Sequence, residues 1–129
     1  MPATRPTTPA HALSAAALLL AAVAAGCSSP SLKLEETQSF RGASHRQTIE
    51  AQVGPEIERL ELSFDLEVER GTVAFEVLDP LGSVVWRGDV TGGGRLADSR
   101  DFTPVQGRWR LDLDLRQATG RYEARWVGR

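Results

Sequence analysis

The side chains able to do chemistry are few in this 129-residue chain, and they are scattered. A hydroxyl nucleophile needs a base within hydrogen-bond reach. Ser44 and His45 are adjacent in the chain and so cannot face each other as a triad requires, and no Gly-x-Ser-x-Gly elbow occurs. Asp112 and Asp114 are two apart between Arg110 and Arg116, on what reads as a solvated strand face, where nothing would hold a proton on either at neutral pH. Glu61, Asp65, Glu67 and Glu69 form an acidic row. Residues two apart on a strand stand about 7 Å apart on one face, whereas calcium is usually held by oxygens converging from loops. Pairing with arginine-rich strands is therefore the reading of this row, with calcium the open alternative; no metal or cofactor is assigned. Trp86 and Trp126 are the rings that could stack on a sugar, while Trp109 heads an apolar stripe and reads as core. Gly92-Gly93-Gly94 lacks the lysine and hydroxyl residue of a phosphate loop and reads as a mobile loop. The expectation is a protein that is not an enzyme.

The elements that must position these residues follow a period of two. Leu60, Leu62, Phe64, Leu66 and Val68 alternate with Glu61, Ser63, Asp65, Glu67 and Glu69. After Gly71, Val73, Phe75 and Val77 repeat the pattern up to Asp79-Pro80-Leu81-Gly82, a turn sequence that returns the chain as a strand over 83–90. Arg46 to Val53 gives another strand, ending at Gly54-Pro55. Trp109, Leu111, Leu113 and Leu115 begin a strand that Ala118-Thr119-Gly120 should turn, and Tyr122, Ala124 and Trp126 face inward on the last one. Residues 95–103 are polar and read as an irregular connection holding at most a short edge strand. Six or seven short strands, each apolar on one face, predict an all-β antiparallel sandwich, jelly-roll-like and of about six to eight strands, with a closed barrel as competitor.

The chain opens with the three-part build of an export signal: Arg5 and no acidic residue before Glu35, an apolar run over 12–25, then small residues. A run of about 14 residues spans only about 21 Å as a helix, short of the roughly 30 Å hydrocarbon core. The one cysteine, Cys27, follows Ala24-Ala25-Gly26 directly. That ending resembles the lipobox of bacterial lipoproteins. The resemblance implies cleavage before Cys27, acylation of its thiol and of the new amino terminus, and a membrane anchor through the lipid. The alternative is an ordinary secretory signal that leaves Cys27 a free thiol, awkward in an oxidising compartment. Two or more acyl chains hold a protein on a bilayer where one binds reversibly. Ser28, not aspartate, follows the cysteine. In a two-membrane bacterium this implies the outer membrane, facing the periplasm.

The expected organisation is thus a signal peptide over 1–26, a lipidated flexible tether over 27–38 and a sandwich over 39–129. About 100 residues remain after cleavage, enough for one domain. The formal charge is −2, with acids and bases interleaved and no basic cluster among aromatics, so no nucleic acid is expected. With a single cysteine no disulfide can form within the chain, and burial must hold the domain unaided.

The stretch from Gly71 to Trp86 with its Asp79-Pro80-Leu81-Gly82 turn, then Gly107-Arg108-Trp109 and Gly120-Arg121-Tyr122, resembles the jelly-roll domains of the GOLD and bacterial pre-peptidase C-terminal types. The resemblance covers about 56–126 and implies a sandwich used as an interaction or accessory module; no binding residue carries over. Two functions follow as expectations. One is a non-catalytic envelope lipoprotein whose sandwich docks an envelope protein. The other is a module for envelope glycan or another small ligand, with Trp86 and Trp126 as the candidate contacts.

Overall fold

The computed structural model describes residues 31–129. Six strands run antiparallel in one hydrogen-bonded sheet: β1 (Leu32–Ala43), β2 (Arg46–Val53), β3 (Leu60–Leu78), β4 (Val84–Thr91), β5 (Gly94–Phe102) and β6 (Gly107–Gly128). The sheet folds over on itself because β3 and β6 are long enough to serve two layers. The first half of β3 pairs with the second half of β6, Leu60 opposite Gly128 and Val68 opposite Gly120. Its second half pairs with the first half of β6, Val73 opposite Leu115 and Leu78 opposite Arg110. The short strands divide between the halves. The first layer is ordered β1, β6, β3, β5, and the second β2, β6, β3, β4. Each short pair, β1 with β2 and β4 with β5, acts as one long strand bent in the middle. This is the connectivity of a jelly roll, and the all-β sandwich expected from the period-two pattern is what the chain forms.

The fold line is held by backbone chemistry. Gly71 has φ 78°, and a side chain there would lie 2.2 Å from the carbonyl oxygen of Gln117, itself bent at φ 46°. Only a residue without Cβ can occupy this point at so close an approach. Gly92 and Gly93 donate their N–H groups to Gly71 O (2.9 Å) and Val68 O (2.7 Å). Leu115 N–H donates to His45 O at 2.9 Å, and Gln117 N–H to Ser44 Oγ at 2.9 Å. All four bends are thereby fastened to their neighbours along one line.

Between the layers lies a closed apolar core. Phe64 of the first layer meets Phe75 and Trp86 of the second edge to face at 5.1 and 6.3 Å, and Trp109 meets Trp126 at 6.2 Å. Such edge contacts add to what burial alone supplies. The layers are packed faces of this kind, which distinguishes the molecule from the barrel alternative.

Several expectations are corrected. Leu32 to Gln38, assigned to the tether, belong to β1, which pairs with β6 from Leu32 opposite Gly128 to Phe40 opposite Gly120. Gly92-Gly93-Gly94 is a hydrogen-bonded bend and not a mobile loop. The polar stretch after it is a nine-residue edge strand, β5, whose exposure removed the alternation that would mark a strand. Ala118-Thr119-Gly120 does not reverse the chain; β6 passes through the bend as one strand of 22 residues. Residues 1–26 and Cys27 lie outside the described residues.

Candidate functional site

The strand order builds a groove of about 620 Å³ on the outer face of the second layer. Its side chains come from outward positions of four strands in register. One row across the sheet is Arg46, Asp114, Ala74 and Asp89; the next is Thr48, Asp112, Glu76 and Arg87. Ala74 is the low point. Neighbouring strands are about 4.8 Å apart, so Asp89 and Asp114 flank its methyl group at roughly 10 Å from one another. Phe75 and Leu113 point into the core and meet the groove through backbone, and the missing side chain of Gly88 leaves room for the Phe75 ring beneath.

The walls alternate in charge. Thr48 Oγ1 donates to Asp112 Oδ1 at 2.9 Å, Arg116 reaches Asp114 at 3.2 Å, Arg87 reaches Glu76 at 3.7 Å and Arg110 reaches Asp112 at 3.9 Å. Among the described residues Asp89 has no ion-pair partner. Exposed pairs like these are each worth about 0 to 1 kcal/mol, so an incoming polar or charged group can displace them at little cost. The sequence shows Asp112 and Asp114 as two carboxylates on a strand face. It does not show that β3 places Ala74 beside them, because that adjacency depends on β6 lying next to β3.

The other singled-out residues fall elsewhere. Asp65 is held by Arg95 through two hydrogen bonds, Nη2 to Oδ2 at 2.9 Å and Nε to Oδ1 at 3.2 Å. Hydrogen bonding from that guanidinium holds the Asp65 carboxyl below its usual range against a smaller opposing effect of burial. Glu67 pairs with Arg121 at 3.7 Å. Glu61, Asp65 and Glu67 stand on the flat outer face of the first layer, and among the described residues no three acidic, histidine or cysteine side chains gather as a metal site. Trp126 is wholly buried, its indole nitrogen without a partner among the described residues. Trp86 is 6% exposed, with the Arg100 guanidinium 4.7 Å from its ring centroid. A bulge decides its direction: Leu78 pairs with Val84 but Val77 with Trp86, so Val85 is the extra residue and the indole turns inward. Neither ring offers a free face for stacking. At the fold line Ser44 accepts a hydrogen bond through its hydroxyl and His45 through its backbone carbonyl, the imidazole itself being exposed.

No family model matches the chain, and no curated protein does. Among solved structures, the pre-peptidase C-terminal domain of a collagenase from Bacillus anthracis is 16% identical with TM-score 0.50, over 74% of this chain and 89% of that domain. A Bacillus endospore appendage pilus is 14% identical over 75% of this chain and 86% of its own, with TM-score 0.47. TmCBM61, solved with beta-1,4-galactotriose, is 12% identical over 81% and 92%, with TM-score 0.45. The chain shares the β-sandwich fold of the pre-peptidase C-terminal domain, and at these identities the likeness is one of fold.

Proposed function

We propose that the chain is a non-catalytic lipoprotein of a bacterial cell envelope, anchored through Cys27, whose sandwich binds a protein partner at the groove on its second layer. The observation that carries this reading is the groove itself: a low point at Ala74 between Asp89 and Asp114, ringed by weakly paired charges. A basic side chain of a partner fits between those two carboxylates, and neighbouring arginines meet its acids, which is how charge complementarity fixes orientation at an interface. A non-catalytic role is supported by Ser44, whose hydroxyl accepts the Gln117 N–H at the fold line instead of meeting the imidazole of the adjacent His45.

The glycan reading retains the same groove, where carboxylates and guanidinium groups would meet sugar hydroxyls, and Trp86 and Trp126 take no part in it. One variant tests both. Ala74→Trp fills the floor from an outward position without touching the core. The full chain, expressed in cells and cross-linked in the envelope, should yield a defined protein adduct that Ala74→Trp abolishes. Loss of binding to purified envelope polysaccharide, with protein adducts unchanged, would favour the glycan reading. The anchor is checked separately: cells fed an alkyne fatty acid should label the wild type and not Cys27→Ala.

A further inference from the structure

The jelly-roll connectivity sorts the molecule into two unlike ends. Every bend lies at the fold line, and the links 54–59, 79–83 and 103–106 all lie at the opposite, open end together with Leu32 and Arg129. The chain enters at the open end, where Ser31 N–H donates to Gly128 O at 3.0 Å. The hairpin between β3 and β4 is seated there too, Pro80 lying against Gly107 at the start of β6.

That hairpin carries the exposed large apolar residues among the described residues. Leu81 at its tip is 80% exposed, and Val84 and Val85 beside the bulge are 38% and 37% exposed. The carboxylate of the hairpin is turned inward: Asp79 Oδ1 accepts the N–H groups of Leu81 and Ser83, each at 2.9 Å. The tip is therefore apolar, with its acid already satisfied. An exposed leucine on its own needs no explanation, but its end of the molecule is also the end nearest Cys27. Leu32 follows Cys27 by five positions. Such a link reaches at most about 17 Å, whereas a half of β6 extends about 34 Å toward the fold line.

We propose that the open end lies against the bilayer that holds the acyl chains of Cys27, with Leu81 entering the interface and the fold line pointing away. This rests on the anchored reading of Cys27. The occupant of the apolar tip is a lipid surface, because the chain between Cys27 and Leu32 keeps that end within about 17 Å of the bilayer, nearer than the fold line. In this posture the groove around Ala74 opens sideways, parallel to the membrane, free for a partner.

The test uses the full chain produced in cells, purified in detergent and reconstituted into vesicles of phosphatidylcholine brominated on its acyl chains. Two variants are compared, Leu81→Trp at the open end and Arg41→Trp at the fold line. The native tryptophans are buried and give a common background. The emission added by Leu81→Trp should fall about twofold in brominated vesicles and shift to the blue, as for a side chain in the acyl boundary; that added by Arg41→Trp should not change. Mass spectrometry of the same samples separates the failures. A protein without acyl mass on Cys27 overturns the anchor and the orientation together. An acylated protein in which neither variant is quenched, or both equally, overturns the orientation alone.

Discussion

Tyr122 faces inward as the alternation of the last strand predicts, and the departures from pattern are the polar residues opposite it. The tyrosine is buried in the first layer, and its hydroxyl donates to Gln38 Oε1 at 3.1 Å, while the Gln47 amide donates to the same oxygen from the other layer. Glu36 and Gln38 occupy inward positions of β1, opposite Ala124 and Tyr122, where a core strand would carry leucine or valine. Two polar residues at core positions made this stretch read as tether, whereas Leu32 and Leu34 fitted either reading. Burial first, and the Glu36 carboxylate second, push the Tyr122 hydroxyl up to about 12. The folded protein thus holds this proton more tightly than the unfolded chain, whose tyrosine titrates near 10. The stabilising contribution is present below about pH 10 and is lost as the pH rises toward 12. Urea midpoints should fall across that window, and Tyr122→Phe should flatten the fall while costing about 1 kcal/mol at neutral pH through the lost hydrogen bond. An unchanged slope in the variant would remove Tyr122 as the cause.

At the scale of elements, the strands legible in the sequence are those with one buried face. β2 has the bounds read from the alternation of Ile49, Ala51 and Val53, and the Asp79 turn lies where its residues placed it. β5 was not legible because it is an edge strand of the first layer with most of its side chains in water. The bends were not legible as bends: a glycine between two strand patterns signals a reversal as readily as a corner. What separates them is the close approach of another strand, which Gly71 has and Gly82 lacks. Both have positive φ, 78° and 84°, but a Cβ at Gly71 would meet Gln117 O at 2.2 Å and one at Gly82 meets nothing within 4 Å. Gly82→Ala should cost about 1 kcal/mol, the conformational penalty alone. Gly71→Ala adds displacement of the β6 backbone at the bend and should cost about 3 kcal/mol or more, read as the shift in urea midpoint. Equal costs would show that the fold line tolerates the separation of β3 from β6.

At the scale of the molecule, β6 decides whether there is a sandwich. It lies between β3 and the β1–β2 ribbon in both layers, and it supplies Trp109, Leu111, Leu113, Leu115, Tyr122 and Trp126 to the core. Before it arrives, β3 can pair with β4 and β5, but β1 and β2 have no strand to join among the described residues. A ribbon of β3, β4 and β5 leaves one side of Phe64, Phe75 and Trp86 without the Tyr122 and Leu113 that cover them, and an antiparallel ribbon with so little of its apolar face buried is marginal in water. Pairing the two ends of the described chain, Leu32 with Gly128, is also among the contacts most distant in sequence, so the loop-closure cost falls late and folding should be slow, on the order of milliseconds to seconds. A chain ended after Val105 should therefore show no cooperative unfolding transition, whereas one begun at Ser39, which keeps the second layer whole, should retain a transition at a lower urea midpoint. The reverse outcome, a cooperative fold without β6, would mean that the β3–β4–β5 ribbon is a stable unit and β6 an addition to it.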